Sequence, residues 1–512
     1  MHPPPAPIDR LEQIRDPLLA ALRDRMVAAA FDGSVFKHIE YVMPGAADRV
    51  RLPLMRHLLE KRTEAWAGFC LLFNYAAALP AADTATLLGD EVCAALLEAG
   101  VLVADDASPD RLRSRLRIMP FLDLWIIGDP PDAGADAAMV PGQTTMQLAM
   151  LMPDKPAGDV LDLGCGPGTL ALLAARRGAR HAVGVDINER AIRMAGVNAR
   201  LNGVAAEFLA GDMYAPVAGR RFDLVVSQPP YVIEPGDTDS VVFMHAGPRG
   251  ERLVLRALEG MAPSLAPGGL GIVLADTPLP VSGSLSAHFR TALRTAACDL
   301  IIANAPAPPI EMQAFAYAQV DDRSLGQRYV TTACRYLDHL ATLDPPGFRQ
   351  AAVMVRMPTA AARGRPALTA SFPVGGFGST SSRSVDRFFT CVDLSAAPPP
   401  ALLRECLRLT RRARWTVEGE RPVIDGNPSW HVRFHPGALG VDQSLPPASV
   451  VMLDFIDAGE TVANGLGAYA EACGTPPEAV AEQVIELVRH GLRSGLLEPG
   501  DDILEGQERT GA

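Results

Sequence analysis

An α/β fold on a parallel sheet, flanked by mainly helical modules, is the class this sequence predicts, and three observations predict it. The first is an apolar strand, Val160 to Leu163, that runs into the closely spaced Gly164, Gly166 and Gly168. The second is a further apolar strand, His181-Ala-Val-Gly-Val-Asp186, that ends on an acid about 20 residues beyond the glycines, the length of one strand-helix-strand unit. The third is repetition of the pattern. Phe208-Leu-Ala-Gly-Asp212 and Phe222-Asp-Leu-Val-Val-Ser-Gln-Pro-Pro-Tyr231 each read as a strand with polar or turn-forming residues at its end. Ligands of open α/β sheets bind outside the carboxyl ends of the strands, so these four ends are candidate parts of one site.

Each strand end has its own chemistry. Glycine lacks a Cβ, so the chain at Gly164, Gly166 and Gly168 can turn tightly and lie against a ligand before the next helix begins. Asp186 stands where an acidic side chain meets ribose hydroxyls. Asp212 can accept a hydrogen bond from an adenine amino group, with Met213 beside it to pack on the ring. These features indicate an adenosine cofactor. The glycine spacing is G-x-G-x-G, without the last glycine of the dinucleotide fingerprint G-x-G-x-x-G, which favours S-adenosylmethionine (SAM) over NAD. Cys165 lies within the loop with no paired His or Asp near it in sequence, and reads as a small packing residue.

The tract Asp186-Ile-Asn-Glu-Arg-Ala-Ile-Arg-Met-Ala-Gly-Val-Asn-Ala-Arg-Leu-Asn-Gly203 follows D-x-N-x-x-A-x-x-x-A-x-x-N-x-x-x-N-G. With the glycine loop and Pro-Pro-Tyr, it resembles class I SAM-dependent methyltransferases, specifically the subgroup of HemK-type glutamine methyltransferases and small-domain rRNA guanine methyltransferases. The resemblance covers residues 135–358. It implies a Rossmann-like fold, SAM as cofactor, and a cofactor site made of Asp162, Gly164, Gly166, Gly168, Asp186, Asp212 and Met213. It also places Pro141-Gly-Gln-Thr-Thr-Met146 where the family brings a loop or helix start near the cofactor.

The subgroup's reaction motif is N-P-P-Y or D-P-P-Y, in which a side-chain oxygen and a proline carbonyl accept hydrogen bonds from a planar amino group and the tyrosine stacks on it. The catalytic residues implied are Gln228, Pro229 and Tyr231, with Gln228 as a departure from the family pattern. Gln keeps the carboxamide but adds a methylene, and a misplacement of about 1 Å can cost on the order of 100-fold in rate. Pro229 and Pro230 lack N–H groups, which leaves carbonyls free to face an amine. Tyr231, His245 and Arg249 are candidate acceptor-binding residues, the last two in a glycine-punctuated loop before a helix. Methyl transfer needs mostly proximity and orientation, so a catalytic base is not required by this reading.

Composition frames these motifs. A chain of 512 residues, 48% hydrophobic and 21% charged, is long enough for about three domains. Its net charge of -12 disfavours broad attraction to nucleic acid. The basic run Arg404, Arg408, Arg411, Arg412 and Arg414 reads as a solvated helix face. Eight scattered cysteines without a C-x-x-C pair indicate a reduced, cytoplasmic protein and no metal site, and His431 and His435 read as structural. No stretch is long and apolar enough to span a membrane, and the N-terminus has no signal-peptide pattern.

Along the chain, residues 1–134 read as helical and winged-helix-like, with helices over Leu18–Ala30, Leu52–Glu60, Glu64–Leu79 and Thr84–Ala99 and a hairpin near Val101 and Leu112–Ile118. Residues 135–358 form the catalytic domain, with a strand over Leu270–Asp276, a helix over Leu325–Leu343 and a closing strand over Ala351–Arg356. Residues 359–512 read as an α+β domain: a linker at Val374–Ser384, a helix over Ala401–Thr410, strand-like segments in Trp415–Val432, then helices and a winged-helix-like end. The sequence is therefore expected to be a methyltransferase acting on nitrogen. Its charge ranks a small metabolite first as acceptor, with an rRNA base or a protein glutamine as the alternative. A SAM-responsive nucleic-acid-binding regulator is the non-enzymatic alternative.

Overall fold

The computed structural model describes residues 7–35, 48–130, 133–134, 136–156, 158–236, 246–280, 283–295, 297–321, 326–344, 346–359, 365–374, 381–410, 414–420, 429–435, 443–446 and 448–500. The chain divides into two compact units, residues 1–300 with 306–357, and residues 301–305 with 358–512.

The first unit is built on β1 (Asp159–Leu163), β2 (His181–Asp186), β3 (Glu207–Ala210), β4 (Phe222–Ser227), β5 (Leu265–Pro278) and β6 (Phe348–Arg356). They lie in the order β3-β2-β1-β4-β5-β6, parallel except for β6, which runs antiparallel to β5. Val160, Leu161, Val183, Val185, Val225 and Val226 are wholly buried, as expected of a parallel sheet covered on both faces. The order reverses between β1 and β4, so the switch point lies beyond β1, where the glycine loop starts.

Around the sheet lie α1 (Gln143–Leu151), α2 (Thr169–Arg176), α3 (Glu189–Asn202), α4 (Arg252–Ser264), α5 (Leu285–Leu293), α6 (Ile310–Asp321) and α7 (Gln327–Ala341). Helix α3 has defined ends. Asn188 caps it by accepting hydrogen bonds from the amides of Arg190 and Ala191, and Gly203 closes it at φ 61°. Its Asn198 and Asn202, one turn apart, bind the edge of a hairpin formed by Arg117–Phe121 and Leu124–Gly128. Each carboxamide accepts from one strand amide and donates to the same residue's carbonyl, Asn202 at Trp125 and Asn198 at Ile127, over 2.8–2.9 Å. The two asparagines thus act as a substitute strand for an edge that would otherwise carry buried unpaired groups.

The N-terminal elements share a core with this helix. Leu19, Leu22, Met26, Phe69 and Phe73 pack in one cluster with Met194, Val197 and Leu201. The buried ion pair of Arg190 with Asp129 reinforces it at 2.6 Å, as do surface bonds of Arg193 to Asp9 and Glu12 and of Arg200 to Asp16. Leu79–Pro80 pairs with Arg111–Ser114, which pairs with Leu102–Ala104. Between them the expected single helix Thr84–Ala99 is two, Ala81–Leu88 and Asp90–Glu98, because Gly89 takes φ 83°. The expected helix Glu64–Leu79 is shorter, Ala65–Phe69 followed by a π-helical turn Cys70–Asn74. That run is buried on all sides, so it has no apolar stripe to mark its end.

In the second unit, helices Ser382–Leu394, Ala448–Asp457, Val462–Cys473 and Pro477–Arg493 enclose Leu402, Met452, Val484 and Val488. The strand Leu407–Leu409 pairs antiparallel with Leu497–Pro499. The expected helix over Ala401–Thr410 is therefore corrected to a short helix, Pro399–Leu402, and a strand. Leu407 and Leu409 are buried on either side of Arg408, a period of two. Arg408 is not on a solvated helix face either, since it reaches the buried Glu498 at 2.9 Å, which also bonds Arg387. The side chains of Arg411, Arg412, Arg414, His431 and His435 lie outside the described residues. Strands Arg414–Glu420, Ser429–His435 and Gln443–Leu445 form a separate antiparallel sheet. Among the described residues no helix is long and apolar enough to cross a membrane.

Candidate active site

The glycine loop takes a backbone path that other residues avoid: Gly164, Gly166 and Gly168 have φ of 75°, 53° and 86°. A Cβ at Gly168 would collide with Phe208 and Ala195, so this glycine lets α2 sit close to the sheet. Cβ atoms at Gly164 and Gly166 would meet nothing within 4 Å. These two positions form an open cradle at the switch point.

The acids around the cradle differ in role. Asp186, at the end of β2, accepts hydrogen bonds from the amides of Gly166 at 2.8 Å and Asn188 at 2.9 Å. The Ile187 amide bonds it as well, and a carboxylate has about four acceptor positions, so capacity remains for one ribose hydroxyl. Burial raises its pKa, opposed by these amide bonds. Beside it Ile187, 61% exposed, offers an apolar face that strand patterning does not single out. Asp162 lies beneath the loop, fully buried, and accepts from the Ala171 amide at 3.0 Å. Burial pushes its pKa up to about 7 against that bond, and the Asp186 charge adds to the rise. Its bonds go to α2, so it braces the loop from below. Cys165 is also buried, with a thiol held well above its usual pKa by burial and by Asp162 and Asp186. It is no thiolate nucleophile.

Asp212 follows β3, and its loop is tied to Asp186 because the Gly211 amide donates to the Asp186 carbonyl at 2.9 Å. Its carboxylate is exposed and pairs with Arg256 at 2.8 Å. Met213 adopts a positive φ of 50°, which turns the chain there. Glycine loop, Asp186, Asp212 and Met213 thus come from the carboxyl ends of three adjacent strands, and together they could hold an adenosine and its ribose.

Gln228, Pro229, Pro230 and Tyr231 continue from β4 on the other side of the switch point. Gln228 does not dangle. Its Nε2 donates to Thr144 Oγ1 at 2.6 Å, and its Oε1 accepts from Thr145 Oγ1 at 3.1 Å. Both hydroxyls stand at the start of α1, in the Pro141–Met146 segment, where Thr145 also receives the Gly142 amide at 3.3 Å. The longer side chain of Gln is what these two hydroxyls grip. Tyr231 packs against the cluster of Tyr317, Tyr336 and Phe348 with Val232 and Ile233. Burial first, and the Asp276 charge second, push its pKa up to about 12, while a hydrogen bond with Thr144 opposes them. Gly250 allows the Tyr231 carbonyl a close approach that a side chain would block.

Arg249 is placed next to this loop but is engaged elsewhere: it bonds Glu251 at 2.9 Å, and Glu251 bonds His288 at 2.9 Å. His245 lies outside the described residues. Sequence patterning missed Thr144 and Thr145 as partners of Gln228, and missed Asp276, at the end of β5. The last carried the same signal as Asp186 and Asp212, an acid closing an apolar strand.

Residues 141–299 match the family model of the methyltransferase small domain. The chain carries a class I SAM-dependent methyltransferase domain of the small-domain subgroup. This methyltransferase domain is 35% identical over 165 residues to a ribosomal protein L11 methyltransferase of Dechloromonas aromatica, covering 29% of this chain and 51% of that one. It is 34% identical over 217 residues to a release factor glutamine methyltransferase of Rhodospirillum rubrum, covering 40% and 62%. A solved T. thermophilus 16S rRNA methyltransferase in complex with AdoMet and guanosine is similar at 22% identity, with a TM-score of 0.25, over 37% of this chain and 58% of that one. The chain spans about half the length of the curated relatives it matches, 51% and 62% for these two.

Proposed function

We propose that the protein is a SAM-dependent N-methyltransferase whose acceptor is a side-chain amide nitrogen of a protein. The observation that carries this reading is the clamped Gln228 at the head of Pro-Pro-Tyr. Among the described residues, Thr144 engages one of its two amide hydrogens and Thr145 one lone pair of its oxygen, which leaves one donor and one acceptor. A carboxamide presents the complementary pair.

In this reading Asp186, Asp212 and the glycine cradle bind the cofactor, which supplies an electrophilic methyl group. Gln228 and the Pro229 carbonyl hold the acceptor nitrogen, and Tyr231 stacks on its plane. Relatives named for methylating a ribosomal protein and release-factor glutamine support a macromolecular acceptor over the small metabolite that net charge ranked first. The same charge of -12 weighs against an rRNA base. The flanking modules, residues 1–134 and 359–512, recruit or shape the acceptor.

The test is incubation of the purified protein with a cell extract and methyl-labelled SAM, followed by separation of protein, RNA and small molecules and peptide mass spectrometry. Label on a glutamine or asparagine amide is the expected outcome. Label confined to RNA or to small molecules would overturn the acceptor assignment.

A further inference from the structure

Asp276 closes β5 beside the acceptor motif. Val273 of β5 lies opposite Ser227 of β4, so Asp276 extends from the same sheet edge as Gln228, one strand over and slightly further out. By the alternation of a strand, Leu274 and Asp276 share the face that Gln228 takes from β4. Tyr317 of α6 donates its hydroxyl to Asp276 Oδ2 at 3.2 Å. Tyr231 lies close enough for the Asp276 charge to raise its pKa. Nothing in the binding of the cofactor uses this carboxylate, which sits on the β4–β5 side of the switch point, away from Asp186 on β2.

We infer that Asp276 is the proton acceptor for the methylated nitrogen, positioned by Tyr317; this rests on the N-methyltransferase reading. As the nitrogen lone pair forms its bond to the methyl carbon, the carbon–sulfur pair leaves with sulfur. The nitrogen sheds one proton, which Asp276 takes and passes to water. A carboxylate in a half-buried position suits the task because its basicity rises out of water: burial holds its pKa above the usual range, with the Tyr317 bond opposing. The groups facing it are Tyr231 from the β4 loop, Tyr317 from α6 with Tyr336 behind it, and on β6 the uncharged Gln350 directly opposite, while Arg349, paired with Thr277, falls on the other face of the sheet. Helix α1, which packs on β5, carries no titratable residue.

The experiment measures initial rates of label transfer from methyl-labelled SAM into a cell extract from pH 5 to 9, for the wild type, Asp276→Asn and Tyr317→Phe. Calorimetric binding of S-adenosylhomocysteine to each serves as a folding and cofactor control. The wild type is expected to lose rate on the acid side. Asp276→Asn is expected to fall by roughly 100-fold or more and to lack that acid limb, with cofactor affinity unchanged. Tyr317→Phe, which removes the bond that lowers the Asp276 pKa, is expected to move the limb to higher pH. An Asp276→Asn rate equal to wild type, or an acid limb that survives in it, overturns the inference and leaves the methyltransferase reading standing. A wild type that transfers no label overturns both.

Discussion

At the scale of single residues, the acceptor site depends on where Gln228 puts its carboxamide. Two threonine hydroxyls fix it, at 2.6 and 3.1 Å, and a side chain shorter by one methylene cannot keep both bonds. Gln228→Asn should therefore lower label transfer by on the order of 100-fold while leaving S-adenosylhomocysteine affinity in place. A full-rate Asn variant would show that the clamp is incidental. The sequence made Gln228 visible as a departure from N-P-P-Y, but not its partners. Thr144 and Thr145 come together with it only because α1 starts beside β4, a juxtaposition that no local spacing encodes. Asp186 and the three glycines were legible because their constraint is local: a turn with positive φ directly after a strand. Asp162 was legible as part of the motif, yet its bond to the Ala171 amide shows a bracing role that its position in the strand does not reveal.

At the scale of elements, α3 joins the glycine loop to the N-terminal hairpin. Asn198 donates both to the Ile127 carbonyl at 2.9 Å and to the Pro167 carbonyl at 3.0 Å within the loop, whereas Asn202 donates to the Trp125 and Asn198 carbonyls, each at 2.8 Å, neither of them in the loop. Replacing either by Ala strands buried backbone groups and should lower the unfolding free energy by about 1–3 kcal/mol per group left unpaired, read from urea denaturation. Asn198→Ala should in addition weaken cofactor binding, and Asn202→Ala should not. Equal cofactor affinity in the two variants would contradict the link. The N-x-x-x-N-G pattern was readable as a family mark, but its physical content, a substitute strand edge, needed the hairpin in place. The elements that escaped sequence reading did so for similar reasons. Cys70–Asn74 is buried on every side and has no periodic face, and Leu407–Leu409 is too short for its alternation to outweigh the helix-forming residues before it.

At the scale of the whole molecule, the buried acid under the loop couples folding to pH. Asp162 keeps its proton in the folded chain up to about pH 7, whereas an unfolded aspartate releases it near ~3.9. The folded state binds more protons between those values, so this group's contribution is fully present below about pH 4 and is lost as pH rises through 7. Asp162→Asn keeps an acceptor for the Ala171 amide without the charge, and should flatten the fall in urea midpoint between pH 5 and 7.5. An unchanged fall would contradict the assignment. The parallel sheet and its order of strand-end motifs were legible over residues 159–278, where each motif follows its own strand. The N-terminal elements read as helices and a hairpin, but their shared core with α3 depends on contacts far apart in sequence.

Whether the cradle beyond β1 is a SAM site is read most directly by calorimetric titration of the full chain with SAM. The expected result is binding that Asp186→Ala weakens strongly and Tyr231→Ala leaves intact. Absence of binding to the wild type, or equal binding by the Asp186→Ala variant, would contradict it.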